Sequence, residues 1–192
     1  PLPEHISVEK ITASISPEKD VDGFTNENFG SIISDTPLLM PATPFGIMEL
    51  IKRYEIETEG KNCVIVGASR LVGAPLALMM SNDANATVTL CHKYTKDLIT
   101  HTKEADILVV AVGKPGLITG DMVKEGSVVI DVGTSRVVDK TKKSGYRLAG
   151  DVEFDSVAGK TSYITPVPGG VGPMTIASLM INTLRALQKS NK

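Results

Sequence analysis

A turn within residues 61–75 has the residue types of a phosphate-binding loop. A β-branched run ends at Gly67, and the chain then passes through Ala68 and Ser69 to Gly73 and an apolar segment. Glycine permits a sharp exit from a strand, small residues let the backbone approach a phosphate, and a following helix attracts the phosphate charge. The pattern predicts a turn that binds the pyrophosphate of a dinucleotide. An ordinary strand-to-helix turn is the alternative, because Ser69 replaces the second glycine of the usual fingerprint.

The next expected strand indicates which dinucleotide the turn would bind. Residues 86–91 have the pattern of a strand, and they are followed by His92, Lys93 and Lys96 with no acidic residue between them. An acid at this point binds the ribose of NAD, whereas a cation accommodates the 2′-phosphate of NADP. With Arg70 in the turn, the cations favour NADP. Either lysine alone would more simply be part of a solvated helix start.

A second segment that could line a ligand site lies near the end of the chain. Residues 166–173 contain three prolines and three glycines. Such a loop is stiff at its prolines and bare at its glycines, and Pro173 suits the first position of a helix. We expect its exposed backbone N–H groups to face a ligand.

The elements that must position these residues alternate between strands and helices. We expect strands at 62–67, 86–91, 107–112, 127–132 and 162–165, and helices at 46–56, 72–80, 95–103, near 121–124 and at 176–187. This alternation predicts an α/β fold, with a Rossmann-like, doubly wound and mostly parallel sheet. Its ligand site should lie at the carboxyl ends of the strands. Residues 139–147 have the composition of a surface turn.

Composition excludes several other classes of protein. A net charge of −2 does not indicate a nucleic-acid surface, and no apolar run is long enough to cross a membrane. Cys63 and Cys91 lie in expected strands, so we expect buried thiols in a reducing compartment, the cytoplasm. The three histidines have no ligand spacing, and no metal site is expected.

Five motifs occur together in the order and spacing of a known enzyme family. They are segments 19–24, 43–46, 67–75, 130–133 and 165–175, which read KDVDGF, TPFG, GASRLVGAP, IDVG and TPVPGGVGPMT. In these motifs, and over essentially its whole length, the chain resembles the bifunctional methylenetetrahydrofolate dehydrogenase/methenyltetrahydrofolate cyclohydrolases.

The resemblance implies a reaction and its cofactor. Members oxidise 5,10-methylenetetrahydrofolate with NADP and hydrolyse the methenyl product to 10-formyltetrahydrofolate. It further implies tetrahydrofolate derivatives as ligands and a homodimer formed through the Rossmann domain. No nucleic-acid or membrane partner is expected.

The resemblance also assigns site residues. Asp22 matches the carboxylate at the pterin ring, and Pro168, Gly169 and Gly170 are expected beside the substrate. The residues expected to contact the cofactor are Gly67, Ala68, Ser69, Arg70, His92, Lys93, Thr134 and Thr175.

The chain departs from the family pattern beside the nicotinamide. Thr134 and Ser135 stand where many members have Ile-Asn. The backbone contact of Thr134 stays possible, but the shape of the site beside it is altered.

A second departure is at the start of the chain. Members have roughly a hundred residues before the segment that begins here with Pro1, the size of a small domain. The resemblance implies that the catalytic lysine, in a Tyr-x-x-x-Lys motif, lies in that part, upstream of Pro1. No lysine near the start of this chain lies in such a motif, so no catalytic residue is assigned. The lysines considered are Lys10, Lys19, Lys52 and Lys61.

These departures lead to an expected division of the chain. Residues 1–45 would be the remnant of an N-terminal folate domain, 46–165 the NADP-binding domain, and 166–192 a loop and helix that return to the first domain. Without the upstream part, we expect a set of apolar side chains to be exposed. They are Ile32, Ile33, Leu38, Leu39, Ile176, Leu179 and Leu184.

Two other functions remain open. One is a non-catalytic NADP-binding fragment or assembly module, which would share every feature of the cofactor half. The other is a dehydrogenase of the shikimate or malate type. The segments 20–23 and 165–175 argue against this last possibility.

Overall fold

Short apolar runs in the middle of the chain form a parallel sheet. The computed structural model describes residues 3, 5–34 and 39–190. In that part of the chain the strands are β1 (Asn62–Val66), β2 (Thr87–Cys91), β3 (Ile107–Val110), β4 (Val128–Asp131), β5 (Ser135–Val138), β6 (Tyr146–Ala149) and β7 (Tyr163–Ile164). The helices are α1 (Val8–Ala13), α2 (Asn26–Ile33), α3 (Ala42–Arg53), α4 (Gly73–Asn82), α5 (Leu98–Lys103), α6 (Phe154–Val157) and α7 (Val171–Ser190).

The five-stranded sheet has the order β2-β1-β3-β4-β7, and all its paired strands are parallel. Strands β3 and β4 are buried along their whole length, as parallel strands covered on both faces must be. The predicted α/β, Rossmann-like fold is therefore confirmed. Several strands end one or two residues earlier than expected, which leaves Gly67 in the turn.

Two apolar cores lie on opposite faces of the sheet, because successive strand residues point to opposite sides. On one face, Ile65 of β1 packs with residues of α3 and α4, including Ile47 and Leu76. On the other face, Val64 packs with Ile118 and with Val157 of α6. The two cores fix the sheet between its helices.

A two-stranded hairpin, β5 with β6, is the element that the sequence reasoning missed. Its strands are antiparallel and contain no buried residue, and the Arg136 guanidinium lies 4.7 Å from the Tyr146 ring centre. Residues 139–145 form the expected surface turn, but Tyr146 already belongs to a strand. An exposed ribbon has no continuous apolar run, so its periodicity gave little signal.

The amino-terminal segment is fixed to the sheet domain through α7. The buried Asn182 side chain donates to the backbone oxygens of Val21 (2.8 Å) and Met40 (2.7 Å). The expected domain boundary at residues 45 and 46 falls inside α3, and the proposed division stays a prediction.

The expected position of the catalytic lysine also stays a prediction. Pro1, upstream of which that lysine is expected, lies outside the described residues. The structure therefore does not test this assignment, and it adds no catalytic lysine to the chain.

The expectation of exposed apolar side chains was partly wrong. Ile32 and Leu39 are buried, at 5% and 1% exposure, and α2, which carries Ile32, lies against α4. Ile33, Ile176 and Leu184 are exposed, and Leu179 is half-buried. Leu38 lies outside the described residues.

Both cysteines are buried and free, as expected from their place in strands. Burial raises the pKa of the Cys63 thiol to about 12, so this thiol stays protonated at neutral pH. No helix in the described ranges has the length and apolar character of a membrane span.

Candidate functional site

A cavity of about 690 Å³ lies at the carboxyl ends of β1, β2 and β3. Residues of three loops line it: Gly67, Ala68 and Ser69 after β1, His92, Lys93 and Thr95 after β2, and Ala111, Val112 and Lys114 after β3. Ligands of open α/β sheets bind in this position. The structure thus brings together five of the eight residues predicted to contact the cofactor.

Two glycines allow the turn to pack tightly under α4. Gly67 has φ +118°, and a Cβ placed on it would lie 2.2 Å from the Ala111 backbone oxygen. A Cβ on Gly73 would lie 1.7 Å from the Gly67 oxygen. Ser69 closes the turn, because its hydroxyl accepts the Val72 N–H at 3.1 Å. This bond gives a structural reason for a serine where the usual fingerprint has a glycine.

A second tight turn shapes the end of β2. The His92 N–H donates to the Thr95 hydroxyl at 2.9 Å, and the Tyr94 N–H donates to His92 Nδ1 at 3.2 Å. The exposed Lys93 Nζ lies 4.8 Å from the Tyr94 ring centre. Among the described residues that line the cavity, none is acidic, and Lys93 and Lys114 supply its positive charge.

The expected convergence of Arg70, Lys93 and Lys96 differs from the observed arrangement. Arg70 donates from Nη2 to the Asn26 side-chain oxygen at 2.6 Å, and it does not line the cavity. Lys96 does not line it either, whereas Lys114 does. Lys114 follows the strand expected at 107–112, but no pattern in the sequence marks its charge as part of the site.

A smaller cavity of about 290 Å³ lies beside the proline-glycine loop. Gly133 and Thr134 line one side, and residues 166–173 line the other, including the predicted Pro168, Gly169 and Gly170. The Val167–Pro168 peptide bond is cis, and Gly169 has φ +103°. This positive φ favours glycine at position 169.

Thr175 has a different place from the one predicted. Its hydroxyl donates to the Val171 oxygen at 3.3 Å and lies 3.1 Å from the Thr43 hydroxyl. Because its proton is used on Val171, Thr175 accepts from Thr43. The pair joins the first turns of α3 and α7, and Thr175 is not among the residues that line either cavity.

Asp22 lies in the turn before α2, next to the start of α3. Its backbone oxygen accepts the Ala42 N–H at 3.1 Å, and a Cβ on the following Gly23 would lie 2.6 Å from the Pro41 Cα. The side chain is half-buried, and burial, together with the Asp20 carboxylate, raises the pKa of Asp22. The turn is thus fixed to α3, while the Asp22 carboxyl stays partly accessible.

A glycine turn below a helix, at the carboxyl edge of a parallel sheet with a cationic pocket, defines a dinucleotide-binding domain of the Rossmann type. The family model described as "Tetrahydrofolate dehydrogenase/cyclohydrolase, NAD(P)-binding domain" matches residues 41–191. The chain belongs to this family.

Relatives and solved structures agree with this assignment. The "Bifunctional protein FolD" of Cytophaga hutchinsonii is 59% identical, over 97% of this chain and 65% of its own length. The Trypanosoma brucei dehydrogenase-cyclohydrolase, solved with NADP and an inhibitor, has TM-score 0.94 and 42% identity, over 100% of this chain and 66% of that one. The Campylobacter jejuni FolD enzyme has TM-score 0.91 and 49% identity, over 99% and 65%. The chain thus spans somewhat less than two thirds of such relatives.

The turn geometry predicts the effect of adding one methyl group. We expect Gly73→Ala to lower the free energy of unfolding by about 1–3 kcal/mol, since its Cβ would meet a backbone oxygen that cannot move aside. NADP affinity should fall as the Gly67–Ser69 turn shifts. Chemical denaturation and calorimetry measure the two effects.

Gly30→Ala is the matched control for this change. Gly30 lies inside α2 with open space around it, so alanine should stabilise the chain by about 0.5–1 kcal/mol and leave NADP affinity unchanged. Equal stability and equal NADP affinity of the Gly73→Ala and unmutated chains would contradict this account of the turn.

Proposed function

We propose that the protein to which this chain belongs oxidises 5,10-methylenetetrahydrofolate with NADP and hydrolyses the product to 10-formyltetrahydrofolate. The observation that carries the proposal is the carboxyl-edge cavity, with its glycine turn and its two lysines. Family membership and the names of the relatives support it. Because the chain spans only part of those relatives, the activity is proposed for the whole protein.

Each part of the site has a task in this proposal. The backbone of Gly67, Ala68 and Ser69 would bind the pyrophosphate, and Lys93 with Lys114 would balance the charge of the 2′-phosphate. NADP, when bound, accepts a hydride. The protein contributes mainly by holding the two reacting carbons at the right distance and angle.

The smaller cavity would receive the reacting ends of cofactor and folate. Gly169 and Gly172 leave part of its wall bare, since a Cβ on either would meet nothing within 4 Å. Thr134 would offer its backbone to the nicotinamide half. Pro168, Gly169 and Gly170 would contact the folate. Asp22 would accept hydrogen bonds from the N–H edge of the pterin, in an orienting role without proton transfer.

The remaining assignments follow from the same proposal. The lysine for the hydrolytic step would lie upstream of Pro1, and residues 1–45 would belong to the folate domain. We also propose a homodimer formed through the Rossmann domain. Two buried free cysteines support a reducing compartment, the cytoplasm.

A non-catalytic NADP-binding module is the second candidate function. The glycine turn and the two lysines of the larger cavity would serve such a module equally well. Such a module would bind NADP and leave 5,10-methylenetetrahydrofolate unchanged.

Lys93→Glu tests the choice of cofactor. The unmutated chain should bind NADP more tightly than NAD, and the substitution should weaken NADP binding about tenfold or more, because it replaces an attraction to the 2′-phosphate by a repulsion. NAD affinity should change much less. Isothermal calorimetry with both cofactors measures the difference.

Lys96→Glu makes the same charge change outside the cavity, and it should leave the preference for NADP in place. Equal affinity of the unmutated chain for NADP and NAD would contradict the assignment.

Asp22→Asn tests the folate site, in the longer natural protein that contains this chain. That protein should form NADPH from NADP and 5,10-methylenetetrahydrofolate. The substitution should raise the KM for the folate and leave the KM for NADP within about twofold, since only an orienting contact is lost. Initial rates of NADPH formation measure both constants.

Two results would count against these roles. Absence of NADPH formation by the unmutated longer protein would favour the non-catalytic module. A parallel loss of folate and NADP binding in Asp22→Asn would show that the Asp22 turn acts only in folding, as many Asp-Gly turns do.

A further inference from the structure

Two buried aspartates, Asp131 and Asp151, lie next to the two cavities, and Asp131 belongs to the wall of the smaller one. Asp131 is the last residue of β4 and is 4% exposed, while Asp151 follows β6 and is fully buried. Neither forms an ion pair in the described part of the chain. Two buried carboxylates so close together are costly unless their oxygens receive hydrogen bonds.

Asp131 is surrounded by backbone donors. Its Oδ1 accepts the N–H groups of Gly133 and Asp151, and its Oδ2 accepts that of Val152, all at 2.9 Å. A Cβ on Gly150 would lie 1.9 Å from Oδ2, so the loop packs directly on the carboxylate. Both oxygens of Asp131 are thus used as acceptors.

Asp151 accepts hydrogen bonds from the loop that lines the larger cavity. Its Oδ2 accepts the N–H groups of Val112 (2.7 Å) and Gly113 (2.9 Å), in the loop after β3. Its Oδ1 has no hydrogen-bond partner, and a Cβ on Gly133 would lie 2.4 Å from that oxygen. Val112 lines the larger cavity and Gly133 the smaller one, so the two aspartates connect their walls.

The energetic balance argues for more than packing. Burial raises the pKa of Asp131, three backbone hydrogen bonds act against this rise, and the Asp151 carboxylate adds to it. Apolar residues could fill the same space at lower cost, but they could not hold five backbone N–H groups from three loops. The two carboxylates therefore fix the three loops relative to one another.

We propose that Asp131 and Asp151 are positioning residues for the dinucleotide: they set the distance between the Val112–Gly113 wall and the Gly133–Thr134 wall, so that one ligand can span both cavities. The inference rests on the proposed binding of NADP. It assigns the aspartates no contact with the reacting atoms.

The hydrogen-bond pattern predicts an asymmetry between the two positions. In Asp151→Asn, the amide NH₂ can take the position of the unpartnered Oδ1, while the amide oxygen keeps both N–H groups of the β3 loop. In Asp131→Asn, the NH₂ must face a backbone N–H, because both oxygens already accept. Asparagine should therefore keep the loops in place at position 151 and displace them at position 131.

Calorimetry with two ligands tests the proposal on this chain. NADP would span both cavities under this proposal, whereas adenosine 2′,5′-bisphosphate has only the adenosine half. Asp151→Ala and Asp131→Asn should each lower the affinity for NADP about tenfold. They should lower the affinity for the bisphosphate by at most about threefold. Asp151→Asn should keep the affinity for NADP within about threefold of the unmutated chain. Circular dichroism melting identifies any variant that does not fold.

The outcomes separate this inference from the proposed function. If the unmutated chain binds neither ligand, the same titration is made with the longer natural protein that contains it; if that protein also binds neither, the proposed function fails, and this inference fails with it. If it binds both but the variants weaken them by the same factor, or Asp151→Ala leaves NADP affinity unchanged, only the positioning role is overturned. Should Asp151→Ala not fold, the asparagine pair decides: equal NADP affinity of Asp131→Asn and Asp151→Asn would overturn the proposal.

Discussion

The close packing of three backbone segments at the end of β1 is the constraint on which the site depends. Gly67 lies against the Ala111 oxygen, and Gly73 lies against the Gly67 oxygen, at distances that leave no room for a side chain. The first turn of α4 is thereby held directly above the sheet edge. Because β1, β2 and β3 are paired in register, the same packing places the loops of Lys93 and Lys114 around one cavity.

The electrostatics of the two cavities differ. Lysines line the larger cavity, whereas Asp131 belongs to the wall of the smaller one. Both Asp131 and Asp151 are buried, and their carboxylates accept backbone N–H groups. The proline-glycine loop adds a stiff wall without charge, beside which a flat ring could lie against bare backbone.

Local sequence signals predicted most of the fold. They failed where contacts between residues far apart in the sequence determine the structure. β-Branched runs and glycine turns located the five strands of the sheet, since those patterns reflect burial and sterics within a few residues. The hairpin β5–β6 was missed because it is exposed. Arg70 was expected in the cavity, but it bonds to Asn26, 44 residues earlier in the chain. The partners of Asp151, 38 and 39 residues away, had no sequence signal.

Amide resonances of the chain, followed by NMR while NADP is added, test the central claim most directly. A third cavity, of about 410 Å³ and lined by Lys61, Gly126 and Ser162, lies at the opposite, amino-terminal edge of the sheet and serves as an internal comparison. The account predicts that the amides of Gly67, Ala68 and Ser69 shift on binding, while those of Gly126 and Ser162 stay in place. Shifts confined to Gly126 and Ser162 would contradict it.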